Sequence, residues 1–143
     1  MNIDALVRLD VVVLSPTNSC QQAAVLMRDR NIGCVVVVRD EEPIGMVTDR
    51  DIVTRVVAAG GDPARSLLQE VMSPSPIFLS QESDLTDVVE TMREFGVRRL
   101  PVVDAQNRLK GIIAIDDVLI QLSQQLGALG HAVQRELGSG PPP

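Results

Sequence analysis

Gly45-Met46-Val47-Thr48-Asp49-Arg50-Asp51-Ile52-Val53 gathers a glycine, a hydroxyl, a cation and a carboxylate in one short string. The string follows a strongly apolar run and opens a helix. A glycine lets a ligand come close to the backbone. A helix N-terminus offers unpaired N–H groups and a partial positive charge to an anion. Thr48 supplies a hydroxyl, Arg50 a cation, and Asp51 two acceptors suited to a ribose diol. Together these groups suit a nucleotide. The same residues also have a purely structural use, because Thr48-x-x-Asp51 is the spacing of a capping box, which needs no ligand. Taken alone, the string leaves both readings open.

The chain carries a second copy of it. Gly111-Ile112-Ile113-Ala114-Ile115-Asp116-Asp117-Val118-Leu119 has Ala114 in place of Thr48, yet Asp117 stands where Asp51 does. A carboxylate kept only as a cap partner would be free to change once the threonine is lost. The copying extends well beyond this string. Val12-Val13-Leu14-Ser15 answers Ile77-Phe78-Leu79-Ser80 at an offset of 65. Cys20, Ala23, Ala24 and Met27 answer Leu85, Val88, Val89 and Met92, and Val35 to Val38 answer Leu100 to Val103, at the same offset. The offset becomes 66 only after a polar turn. An indel confined to a turn marks a duplicated structural unit, and clefts beside the resulting pseudo-twofold axis are the candidate sites.

Each copy predicts a short apolar strand, an amphipathic helix, a Val-rich strand, a polar turn, then Gly and a second helix, an α/β arrangement. Pro16 ends the first strand, and Asn18 and Ser19 offer N-caps for a helix reaching about Arg30, with Gln22 completing a capping box. Ser83 takes the place of Asn18 in the second copy. The i, i+3, i+4, i+7 stripes mark one buried face per helix, with Met92 packing in the core, as Met72 does elsewhere. Cys34 to Val38 reads as a strand covered on both sides. Arg39 to Pro43 and Asp104 to Arg108 are tight polar turns, and the second helices start near Asp49 and Asp116. Gly60-Gly61-Asp62-Pro63 separates the copies, and Ser73-Pro74-Ser75-Pro76 is an extended lead-in to the second. The organisation is therefore a first repeat at 3–60, a second at 68–129, and a flexible C-terminal tail at 130–143. Gly138 to Pro143 is disordered on composition.

Bulk properties exclude several classes of function. The 143 residues are 45% hydrophobic but only 1% aromatic, so Val, Ile, Leu, Ala and Met must build the core. A net charge of −6 argues against sequence-independent nucleic-acid binding. No apolar run reaches the roughly 18 residues of a bilayer span, and Asn2-Ile3-Asp4 does not open a signal peptide, so the expectation is a cytoplasmic protein. Cys20 and Cys34 read as reduced core thiols. His131 is the single histidine and lies in the tail, which removes a His-based zinc site or triad from the repeats. Neither a nucleophile elbow nor a P-loop is present, so an enzyme is not expected.

Val97-Arg98-Arg99-Leu100-Pro101-Val102-Val103, with Gly45 to Asp51, resembles the CBS domain, and the chain resembles a tandem pair of them over about residues 3–129. The resemblance implies two β-α-β-β-α repeats with pseudo-twofold symmetry, a so-called Bateman module. It implies two clefts for adenine-containing ligands (AMP, ADP, ATP or S-adenosylmethionine), held as regulatory ligands with no cofactor required. By this resemblance the first cleft has Asp51 on the ribose hydroxyls and Thr48 on ribose or phosphate. Met46, Ile77 and Val97 flank the base, and Arg50, Arg98 and Arg99 lie near phosphate. The second cleft has Asp117 and Ile112 with Val12, Ile32 and Gly33. It lacks the hydroxyl and has Gly33-Cys34 where the first has Arg98-Arg99, so the clefts are expected to be unequal. Arg98 and Arg99 also have a plain reading as solvated strand-end charges; adjacent basics in an acidic chain favour phosphate.

The leading expectation is a non-catalytic sensor whose ligand biases the packing of the two halves, read by a partner protein or by a homodimer. The apolar face from Leu119 to Leu129 suits such pairing. The alternative is a ligand-free dimerisation or docking module in which Thr48 and Asp51 only cap a helix. Neither reading involves nucleic acid or membrane.

Overall fold

The computed structural model describes residues 2–74 and 77–138. Repeat one comprises β1 (Val13–Leu14), α1 (Cys20–Arg30), β2 (Cys34–Arg39), β3 (Glu42–Thr48) and α2 (Asp49–Ile52), which runs on as a π-helical turn, Val53–Val57. A linker follows with α3 (Leu68–Val71) and β4 (Ser73–Pro74). Repeat two comprises β5 (Leu79–Ser80), α4 (Leu85–Phe95), β6 (Arg99–Val103), β7 (Leu109–Ala114) and α5 (Ile115–Gly138). Among the described residues the strands form two sheets, β1-β2-β3-β4 and β5-β6-β7. In each the first pair is parallel and the next antiparallel. This is the expected α/β pair of repeats.

The Val-rich runs form the strands because they are buried on both faces: Val35, Val36 and Val37 are all inaccessible to solvent. Asp40 and Glu41, both at positive φ, make a two-residue hairpin turn. The turn is therefore shorter than the expected Arg39–Pro43, and Pro43 falls into β3. There it faces Val38 where the register shifts, and such irregularities are where a strand tolerates a proline. Repeat two shifts register at the matching place, between Val102 and Val103. Its longer turn, Asp104 to Arg108, holds the inserted residue.

Helix α1 starts as expected. Ser19 Oγ accepts from Gln22 N at 3.1 Å, and Gln22 Oε1 accepts from Ser19 N at 2.9 Å. In repeat two Asp84, rather than Ser83, is the N-cap: Asp84 Oδ1 accepts from Asp87 N at 3.0 Å, and Asp87 Oδ2 from Asp84 N at 2.9 Å. Ser83 instead closes a turn, its N–H donating to Ser80 O. Asp84→Ala should therefore cost about 1 kcal/mol in a urea melt, and Ser83→Ala close to nothing; the opposite order would restore Ser83 as the cap.

The repeats exchange their leading segments. Ile3 and Leu6 pack into the core of repeat two with Leu100, Ile113 and Val118. Leu68 and Val71, which lie 65 positions later, pack into the core of repeat one with Val35, Val47 and Val56. Strand pairing follows suit: β4 pairs with β3 through Met46 and Ser73, and Arg8 pairs with Ile112 beside β7. Each half is thus completed by chain contiguous with the other.

Helix α5 continues to Gly138, so residues 130–138 are helical rather than part of a flexible tail. The stripe Leu122, Leu126, Leu129, Val133 keeps its spacing of four, three, four past Gly127 and Gly130. Ser75, Pro76 and Ser139 to Pro143 lie outside the described residues.

Candidate functional site

Two clefts flank the pseudo-twofold axis. The first is a cavity of ≈ 340 Å³. Met46, Thr48 and Asp51 line it from β3 and α2, Ser73 and Pro74 from β4, and Ile77, Val97, Arg98 and Arg99 from repeat two. Seven of the eight side chains expected there from sequence meet at this cavity. Arg50 is exposed and lies outside its lining. Sequence reasoning missed Ser73 and Pro74 as walls, since that role depends on the linker pairing back onto β3.

Asp51 is held in place by its own helix. Its Oδ2 accepts from Thr48 N at 2.9 Å, and its N–H donates to Thr48 Oγ1 at 3.1 Å, so the capping box is formed. Arg55 Nη2 stands 3.8 Å from Asp51 Oδ1, while Arg55 Nη1 donates to Val71 O at 2.7 Å and ties the linker to this helix. Arg98 lies 3.6 Å from Asp116 with both side chains 72% exposed, a screened pair that leaves the guanidinium available. A carboxylate, apolar side chains and two guanidinium groups thus line one cavity.

The second cleft is a cavity of ≈ 300 Å³. Val12, Ile32, Gly33 and Ile112 line it, as expected, and Arg99 lines it as well as the first. Asp117 does not line it. Both its oxygens are taken by Arg8, with Nε donating to Oδ2 at 2.8 Å and Nη2 to Oδ1 at 2.7 Å. Arg8 itself reaches this cleft. It went unmarked in the sequence; its one signal is the offset of 65, which sets Arg8 against Ser73. Cys34 is also in the lining, and burial pushes its thiol up to about 11, so it stays protonated and unreactive near neutral pH. Among the described residues no three His, Cys, Asp or Glu side chains gather as a metal site.

A duplicated α/β unit with exchanged leading segments and a cleft on each side of its axis defines a tandem-repeat module. A CBS-domain profile matches residues 3–58 and 68–124, and the chain belongs to the CBS-domain family. It is 39% identical over 116 residues to the CBS domain-containing protein YhcV of Bacillus subtilis, covering 80% of this chain and 81% of that protein. It is 36% identical over 120 residues to the protein MK0525 of Methanopyrus kandleri, covering 83% of this chain but 61% of that relative's length. Among solved structures it is similar to the cytosolic domain of the Mg2+ channel MgtE in complex with ATP. That match has a TM-score of 0.69 and 26% identity, over 80% of this chain and 46% of the other. No described helix is long and apolar enough to cross a membrane.

Proposed function

We propose that the chain is a cytosolic, non-catalytic sensor that binds an adenine-containing ligand, AMP, ADP, ATP or S-adenosylmethionine, in the first cleft. The observation that carries this reading is the joint lining of one cavity by Asp51, the apolar trio Met46, Ile77 and Val97, and the pair Arg98–Arg99. The carboxylate supplies acceptors for a ribose diol, the trio a slot for a flat base, and the arginines charge-assisted donors for phosphate. The ATP complex of the MgtE domain supports the choice of ligand class. Because the walls come from both repeats and the linker, a ligand there changes the balance of their packing, which a partner protein or a second copy can read. Arg98→Ala should weaken ATP by about tenfold or more, in line with a hydrogen bond to a charged group, and leave adenosine nearly unchanged. Calorimetry showing equal losses for both would remove Arg98 from the phosphate role.

The capping box of Thr48 and Asp51 favours a second reading, a ligand-free docking module in which the motif only starts α2. A thermal-shift screen of adenosine ligands separates the two, since only the sensor reading expects stabilisation by bound ligand.

We also propose that the chain pairs with itself. Leu119, Ile120, Leu126 and Leu129 are exposed on α5, with Val53 and Val57 exposed after α2, and large apolar side chains gathered on helix surfaces mark an interaction face. Light scattering at micromolar protein should give twice the mass of the chain, and Leu126→Asp should shift it towards one. A monomer mass for the unmodified protein rejects the pairing.

A further inference from the structure

The two clefts differ in one substitution that the pseudo-symmetry makes directly comparable. Arg8 and Ser73 occupy equivalent places, 65 positions apart, each on the exchanged strand beside β7 or β3. In the first cleft that place holds Ser73, which brings no cation to the motif carboxylate; Asp51 accepts from Thr48 N through Oδ2, has Arg55 only at 3.8 Å from Oδ1, and lines the cavity. In the second it holds Arg8, whose fork clamps both oxygens of Asp117, at 2.7 and 2.8 Å. Asp117 is the less exposed partner, its side chain 17% accessible against 59% for Arg8. The bidentate guanidinium engages both carboxylate oxygens and Asp117 is absent from the lining of the cleft, so a ribose diol would have to compete with a cation, which a neutral hydroxyl does poorly.

We infer that the residue at this place selects the cleft: Arg8 closes the second cleft to ribose-bearing ligands, and Ser73 keeps the first open. This rests on the proposed nucleotide-binding function and goes beyond it, because the loss of Thr at Ala114 alone would leave a weakened but available carboxylate. Ala114 removes a cap; Arg8 engages both acceptor oxygens. The clamp also explains why Asp117 persists without a threonine partner, since it holds the N-terminal segment against α5.

The test is a pair of reciprocal exchanges read by equilibrium dialysis with ATP and with adenosine. Arg8→Ser leaves the backbone bonds between Arg8 and Ile112 intact, so the variant keeps its strand pairing. The unmodified protein should bind one ligand per chain, Arg8→Ser two, and Ser73→Arg none, each variant checked for cooperative unfolding. One ligand per chain for folded Arg8→Ser overturns the inference while leaving the proposed function standing. Two per chain for the unmodified protein also overturns it. No binding by any of the three rejects the proposed function and the inference with it. Should Arg8→Ser not fold, Ser73→Arg decides alone: retention of its one ligand overturns the inference, and its loss supports it.

Discussion

Asp51→Ala should lower the affinity of the first cleft for adenosine and its phosphates by about 1.5–3 kcal/mol, roughly a tenfold to hundredfold rise in Kd. The loss should be the same for adenosine and ATP, because the carboxylate is assigned to the ribose that both share. The substitution also removes one half of the capping box, the acceptance from Thr48 N by the Asp51 carboxylate, while Thr48 remains the N-cap, and should cost about 1 kcal/mol of stability. Asp51→Asn separates the two effects. Its amide oxygen can still accept from Thr48 N, so stability should return towards the parent value. Its lost charge should leave the ribose contact weakened. Full recovery of both stability and binding in Asp51→Asn would assign the residue to capping alone.

Gly111→Ala should destabilise the fold by about 3 kcal/mol in a denaturant titration, at the upper end of overpacking costs. A Cβ at Gly111 would run into the carbonyl oxygen of Arg8 and the side chain of Val7. Backbone cannot give way there without breaking the two hydrogen bonds between Arg8 and Ile112. Gly45 is the symmetry mate, yet the atoms its Cβ would meet first are the sulfur, Cγ and Cβ of the Met72 side chain rather than backbone. A thioether that can change rotamer absorbs much of that clash, so Gly45→Ala should cost clearly less. Equal and small losses at both positions would mean that the exchanged N-terminal segment does not lie against β7 as described.

Much of this was legible in the residues because duplication supplies an internal alignment. The Val-rich strands, the capping box at Ser19 and the common offset of Val35 to Val38 with Leu100 to Val103 are all written locally or by repetition. The motif Gly45 to Asp51 marked one wall of the first cleft, and the family resemblance supplied the opposite one. What escaped depended on which half a segment packs against. No local pattern says that Ile3 and Leu6 are buried by repeat two, so Arg8 gave no sign of reaching Asp117. Asp84 was overlooked as a cap because Ser83 beside it has an equally suitable oxygen, and only backbone geometry separates the two. The length of α5 was underread because Gly127 and Gly130 weaken a helix by about 1 kcal/mol each, while the Leu126–Leu129–Val133 stripe continues across them.

The first cleft is proposed to take an adenine-containing ligand. Isothermal titration of the purified, nucleotide-free protein with AMP, ADP, ATP, adenosine and S-adenosylmethionine tests it most directly. Saturable binding of at least one of these is expected at one site per chain, abolished or strongly weakened by Asp51→Ala. Absence of saturable binding for every ligand, in a protein that unfolds cooperatively, would contradict it and leave the Thr48–Asp51 pair as a helix cap and nothing more.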